Sequence, residues 1–195
     1  MARIALMTIV VVSFILVIAT CNRSDMHDLA INGPPPRSAL YLYHTDSYFT
    51  GRIGARDELD RICFYEGIQY LALIGASNVK AFISVSAVDE MRFLIPAAYW
   101  AYPVFGLSES FTITPIAMTW YDLFDGSTIN NIDVAVGIGG QIWWSGSLND
   151  GSLATSTCNG WHDGSNLAVG QVGGTLINEG TASCDIGRRL LCIAY

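Results

Sequence analysis

The chain closes on Thr181–Tyr195, TASCDIGRRLLCIAY, with Cys184 and Cys192 eight positions apart and three residues left after the second. A metal site, a redox switch and part of a disulfide framework are the three readings of such a pair, and the choice fixes compartment and fold class. Zinc knuckles hold their ligands roughly two to four residues apart, closer than these two cysteines stand. No Cys-x-x-Cys redox motif occurs anywhere. With Cys63 and Cys158 the body of the chain carries four cysteines, and an even number in an exported protein implies disulfides, with three possible pairings. Spacing alone leaves the pairing open. The final run, Arg188–Tyr195, reads as a buried strand.

Export is written at the other end. After Arg3, the stretch Ile4–Ala19 runs for sixteen residues without a charge, a length that suits the core of a signal peptide and falls short of the ~20 residues needed to span a bilayer. It stops at VIATC, Val17–Cys21, which resembles a bacterial lipobox, with Thr20 departing from the usual Gly, Ala or Ser before the cysteine. The expected processing removes residues 1–20 and leaves Cys21 as the lipidated residue. Residues 21–38, polar and then proline-rich at Pro34–Pro36, form a semi-rigid tether, and the globular domain is expected over 39–195. The expected location is the outer membrane or cell surface, lipid-anchored, or the exterior as a secreted protein where Cys21 carries no lipid.

Composition narrows the function. Ten basic residues stand against 17 acidic ones for a net charge of -7, and Lys80 is the single lysine. Nucleic acid and heparin are thereby disfavoured as partners, since polyanion affinity rests on clustered Lys and Arg. Apolar residues make up 51% and charged residues 14% of the chain, enough for a core, and 19 glycines favour a turn-rich fold with short strands.

Along the body, Ser38–Gly51 reads as an opening strand and loop, alternating around Leu40, Leu42 and His44. Gly54–Gln69 carries Leu59, Ile62 and Cys63 as the apolar stripe of a helix, with Arg56, Asp57, Asp60 and Arg61 on a solvated, salt-bridged face. Val79–Ser86 alternates as a strand. Ser86–Ile95 is expected to be a second helix, capped by Ser86 and Asp89 and stopped at Pro96. Tyr102–Phe111 and Ala117–Ser127 read as strand-and-turn material, and from Gly137 onward short apolar runs alternate with Gly-rich turns. The fold class is α+β, one domain, stapled by disulfides.

At this level of detail the chain resembles a known family. The W-x-G-S-x-x-x-G turn at Trp144, the C-x-x-W at Cys158 and Trp161, the A-S-C at Cys184, the L-C-I at Leu191–Ile193, KAFIS at Lys80 and TWYDLFDG from Thr119 follow in the order found in endostatin, the C-terminal domain of certain collagens. In kind the chain is similar to bacterial endostatin-like lipoproteins such as the leptospiral group. The resemblance implies a C-type-lectin-like α+β single domain with two nested disulfides, Cys63–Cys192 and Cys158–Cys184. It also marks departures. Tyr41 stands at the position of the family's zinc-binding strand histidine, and Glu109 stands at its aspartate without a histidine partner. The heparin-binding arginine clusters and the sugar- and calcium-binding E-P-N or Q-P-D motifs are missing. No metal and no cofactor are expected.

A G-x-S-x-G elbow, an H-E-x-x-H helix and a P-loop are also missing, and the histidines are His27, His44 and His162. No enzyme is expected. Trp161 is read as core, with His162 and Asp163 as loop surface; Asp125 and Asp150, each before a glycine, are turn residues. Tyr99, Trp100, Tyr102, Trp143 and Trp144 are read first as core and second as an exposed aromatic patch for a partner. The candidate ligand-binding residues are Trp143, Trp144, His162 and Asp163. By the resemblance, the chain is expected to be a surface-exposed adhesin for extracellular-matrix proteins (laminin, fibronectin), plasminogen or complement regulators such as factor H. The alternative is a structural, periplasm-facing envelope lipoprotein without a host ligand.

Overall fold

The computed structural model describes residues 35–195; the expected signal peptide, Cys21 and most of the expected tether lie outside the described residues. A strand with two apolar faces organises the rest. β1 (Leu40–His44) is buried at every position. Because successive side chains point to opposite faces, Leu40 and Leu42 enter one core while Tyr41 and Tyr43 enter another. β8 (Leu191–Ala194) divides in the same way, Leu191 and Ile193 to one side and Cys192 and Ala194 to the other. Two such strands belong in the middle of a sheet covered on both faces.

That is where they lie. The main sheet has the order β2-β8-β1-β3-β4, with β2 at Val79–Ala81, β3 at Val104–Leu107 and β4 at Ile113–Ala117. β8 runs antiparallel to both neighbours, pairing Tyr41 with Ala194 and Val79 with Ala194. β1 and β3 are parallel, with Leu40 opposite Val104. A second sheet, β5 (Trp143–Trp144), β6 (Val169–Gly173) and β7 (Thr181–Ser183), is antiparallel throughout. The fold is α+β.

One face of the main sheet is covered by α1 (Arg56–Glu66) and α2 (Ile68–Ile74). Leu59, Cys63, Tyr70 and Leu71 pack there with Trp144 and Trp161. Acidic Asp57 and Glu58 occupy the first turn of α1, where they complement the helix dipole, and Glu58 reaches back to accept a bond from Ala55 N–H at 3.2 Å. The opposite face is covered by loops, short 3-10 turns and the one-turn α3 (Ile132–Ala135), which contribute Met91, Trp120, Leu123 and Ile132 around Trp143. Disulfides join Cys63 of α1 to Cys192 of β8 and Cys158 to Cys184.

Three sequence expectations are corrected here. Ser86–Ile95 is not a helix: Ser86 and Asp89 exchange backbone bonds around a tight turn, Val85 N–H also donates to Asp89 O, and only Met91–Phe93 forms a 3-10 turn. Asp89 is drawn away from a capping role by Arg56, whose Nε donates to its Oδ2 at 2.8 Å, and it is Ser84 Oγ that accepts from Met91 N–H. Nor are Arg56 and Asp60 a solvated face. Arg56 donates to the carbonyls of Ala81 (2.7 Å) and Ile83 (2.5 Å), while Asp60 accepts from Ala81 N–H and Lys80 Nζ, both at 2.8 Å. This charged pair stitches α1 to the edge strand β2. Arg56→Met is expected to cost about 1.5–3 kcal/mol, since charge-assisted bonds to two backbone carbonyls and a carboxylate disappear together; urea denaturation of the variant measures it. Finally, Trp143 and Trp144 have no exposed surface. β5 sits between the two cores, so adjacent tryptophans fill opposite sides, and neither is available to a ligand.

The same burial sets a pH dependence. Burial pushes the Tyr41 and Tyr43 phenols far above their ordinary value, with Tyr70 and Glu66 adding to the effect at Tyr43; Tyr70 is raised as well, burial again first. An unfolded tyrosine ionises near pH ~10, so above that pH the unfolded chain gives up protons that the fold retains. The stabilisation is complete below about pH 10 and is lost as pH rises through the folded-state values. The urea midpoint is expected to hold between about pH 8 and pH 9.5 and to fall beyond about pH 10.5, with the phenolate absorbance of Tyr41 and Tyr43 appearing in step with unfolding.

Candidate functional site

The stretch Cys158–Ser165, CNGWHDGS, makes an unusual turn. Cys158, Asn159, Gly160 and Trp161 all have positive φ, at 48°, 54°, 68° and 66°. Four consecutive left-handed residues are costly for L-amino acids, so the surroundings must fix them. Thr157 caps the turn, its Oγ1 accepting from Gly160 N–H at 3.2 Å and its carbonyl from Trp161 N–H at 2.7 Å. The Cys158–Cys184 bridge clamps it from behind, and glycines let two other segments press against the sulfur: a Cβ at Gly51 would stand 2.2 Å, and one at Gly170 2.7 Å, from Cys158 Sγ.

The turn sorts its side chains. Trp161 points inward and donates Nε1–H to Ser84 O at 2.9 Å, and its own carbonyl accepts from Ile53 and Gly54. Asn159 and His162 face solvent. Between this turn and the start of α1 lies an open cleft of about 460 Å³, lined by Arg52, Gly54, Glu58, Arg61, Ile62 and His162. Arg52 and Arg61 are exposed and form no ion pair among the described residues. The cleft thus sets two arginines against one carboxylate, Glu58, on an acidic protein. Asp163 stands just behind it. Bonds from Ser165, first its hydroxyl and then its N–H at 2.8 Å, hold the Asp163 carboxyl below its ordinary value, and Asn159 Nδ2 donates to Oδ2 at 2.8 Å. At neutral pH Asp163 is a fixed carboxylate that shapes the loop. Asp125 and Asp150 accept in the same way from Ser127 and Ser152, as turn residues do.

A second polar cluster lies at the far end of β1. His44 has no exposed surface. Its Nδ1 meets Arg189 Nη1 at 2.7 Å, and that same guanidinium nitrogen donates to Thr45 O at 2.5 Å. Nδ1 thus lies between a guanidinium, which can only donate, and Thr45 O at 2.9 Å, which can only accept. Nε2 faces Glu109 Oε1 at 3.3 Å, an ion-pair distance without the alignment of a full hydrogen bond. Arg189 also stands 3.9 Å from Glu109 Oε1 and 4.0 Å from Asp46 Oδ1, with its guanidinium 4.9 Å above the Tyr48 ring.

The expectation that Glu109 lacks a histidine partner is therefore corrected: the partner is His44, three residues along β1 from Tyr41. Tyr41 itself is buried and donates to Pro36 O at 2.8 Å. His44, Asp46 and Glu109 place ligand atoms within 4.8 Å of one another, close enough to share one cation. Ligation by Nε2 would leave the ring proton on Nδ1, facing Thr45 O at 2.9 Å, and would require Arg189 to withdraw. In the arrangement seen, Arg189 supplies the positive charge between the two carboxylates. Sequence reasoning missed this group because its members are 65 and 145 positions from His44; only the β1–β3 register and the return of the chain into β8 bring them together.

Neither His44 nor His162 hydrogen-bonds a hydroxyl or a thiol among the described residues. Of the sequence candidates, His162 lines the cleft, Asp163 bonds within its own loop, and Trp143 and Trp144 lie in the cores. No protein-family model and no curated protein matches the chain.

Proposed function

We propose that this chain is a non-enzymatic, surface-exposed lipoprotein with an endostatin-like, C-type-lectin-like domain, held by lipid on Cys21, that binds host proteins. The observation that carries the reading is the clamped loop face. A left-handed turn, a disulfide and two close-approach glycines hold the Arg52–Arg61–His162 cleft in one shape before any ligand arrives. A preformed loop surface reduces the ordering cost of recognition, and two unpaired arginines offer bidentate donors to carboxylates on a protein partner. By the resemblance, the partners are laminin, fibronectin, plasminogen or factor H.

Solid-phase binding of the mature chain to these four proteins tests the reading. Saturable binding to at least one is expected, and charge reversal at Arg52 and Arg61 should weaken it about tenfold or more, the scale of losing hot-spot cations. No saturable binding to any of them sinks the partner assignment. Protease shaving of intact cells is a separate check, because a periplasm-facing domain would survive it.

A further inference from the structure

The loop Phe93–Pro103, FLIPAAYWAYP, carries no charge, and none occurs between Arg92 and Glu109. Part of it is core, with Leu94 and Ile95 buried, but Pro96, Ala97, Ala98 and Ala101 are exposed and Tyr99, Trp100 and Tyr102 are half-exposed. With Tyr121 and Tyr195 their rings form two neighbouring groups, whose inner edges pack on the core around Trp143. Tyr99 packs on Tyr102 (5.5 Å) and on Tyr195 (5.0 Å), and Trp100 on Tyr121 (5.1 Å), which is 59% exposed.

The position of this patch is what gives it meaning. Pro103 O accepts from Leu40 N–H at 2.9 Å, so the loop enters β3 beside the point where the chain enters β1. Tyr195 ends β8 at the same edge, because Tyr41 is opposite Ala194. The aromatic groups therefore lie at the end of the main sheet where the described chain begins, on the face opposite Tyr41, whose hydroxyl donates to Pro36 O. Cys21 lies fourteen residues before Pro35, a span of at most about 50 Å when fully extended. A tether of that length keeps this pole at high effective concentration near whatever holds its other end.

Tyrosine and tryptophan, with an apolar body and a polar tip, are the side chains that settle at the headgroup level of a bilayer. The absence of lysine, arginine, aspartate and glutamate across the loop removes the desolvation cost that would oppose such a contact. We infer that the pole formed by Pro96–Pro103, Tyr121 and Tyr195 rests on the phospholipid headgroup layer to which the chain is tethered, with the cleft at His162 left to partners. This inference rests on the lipid-anchored reading given above.

Tryptophan fluorescence tests it directly, because Trp120, Trp143, Trp144 and Trp161 have no exposed surface and Trp100 alone of the five reaches the exterior. The full mature chain is reconstituted into phosphatidylcholine vesicles, with or without brominated acyl chains, and floated on a density gradient. The expected result is flotation together with quenching of up to one tryptophan's share of the emission. Quenching should vanish in Trp100→Phe and fall at least severalfold in Ala97→Asp/Ala98→Asp, which places charge at exposed positions without touching a core. Flotation with no quenching by brominated lipid overturns the inference and leaves the anchor standing; a face reserved for a protein would behave in this way. Failure to float removes the anchored reading, and the inference with it.

Discussion

Replacing Cys63 and Cys192 together by alanine is expected to lower stability by roughly 5 kcal/mol, the chain-entropy value for a cross-link closing so long a loop. The bridge spans 129 positions and ties the first helix to a central strand. Both cysteines are fully buried, so the loss should be larger than the entropic figure if the cavity fails to close. The Cys158–Cys184 bridge spans only 26 positions and is expected to contribute roughly 3.5 kcal/mol by the same reasoning. Urea denaturation of the two double-alanine variants, compared with the parent chain, gives both numbers. A larger loss for the shorter loop would mean that the left-handed turn at Cys158, and not loop closure, dominates.

Trp161→Ala comes next, at about 3–5 kcal/mol for an aromatic removed from a packed core. Two further losses push it to the upper end. Ser84 O loses the indole donor that bonds it at 2.9 Å, and Trp144, whose ring centroid lies 5.6 Å away, loses its edge-on partner. Trp161→Phe keeps most of the contact and loses the bond, so it should cost well under half as much. The functional consequence separates from stability: at temperatures where Trp161→Ala remains folded, the cleft beside His162 should lose its fixed shape. Partner binding would then weaken more than the stability loss alone accounts for.

The parts of this fold legible in the sequence are those decided by local pattern. β1, β8 and α1 announce themselves through apolar periodicity, and β8 through the absence of any polar position between Leu190 and Ala194. The failures share one physical cause, which is tertiary competition for a side chain. Asp89 looks like a helix cap in isolation and is claimed by Arg56 from another element. Trp143 and Trp144, read first as core, were also candidates for a partner, because a strand with one solvated face would expose one of them; β5 has no solvated face. His44 and Glu109 could not be joined on paper, since nothing local to either records that β3 lies beside β1. His162 was legible as loop surface, but Arg52 and Arg61 were not legible as its neighbours, because that requires the carbonyl of Trp161 to hold Ile53 and Gly54.

The position of β8 also dictates an order of events. The strand that completes the main sheet, between β2 and β1, is synthesised after every other strand of the described residues. Before its residues emerge, β2 has no partner strand in its sheet and the 129-position bridge has no second sulfur. Domains ordinarily begin to fold as their N-terminal parts appear during synthesis; here the middle of the sheet must wait for β8.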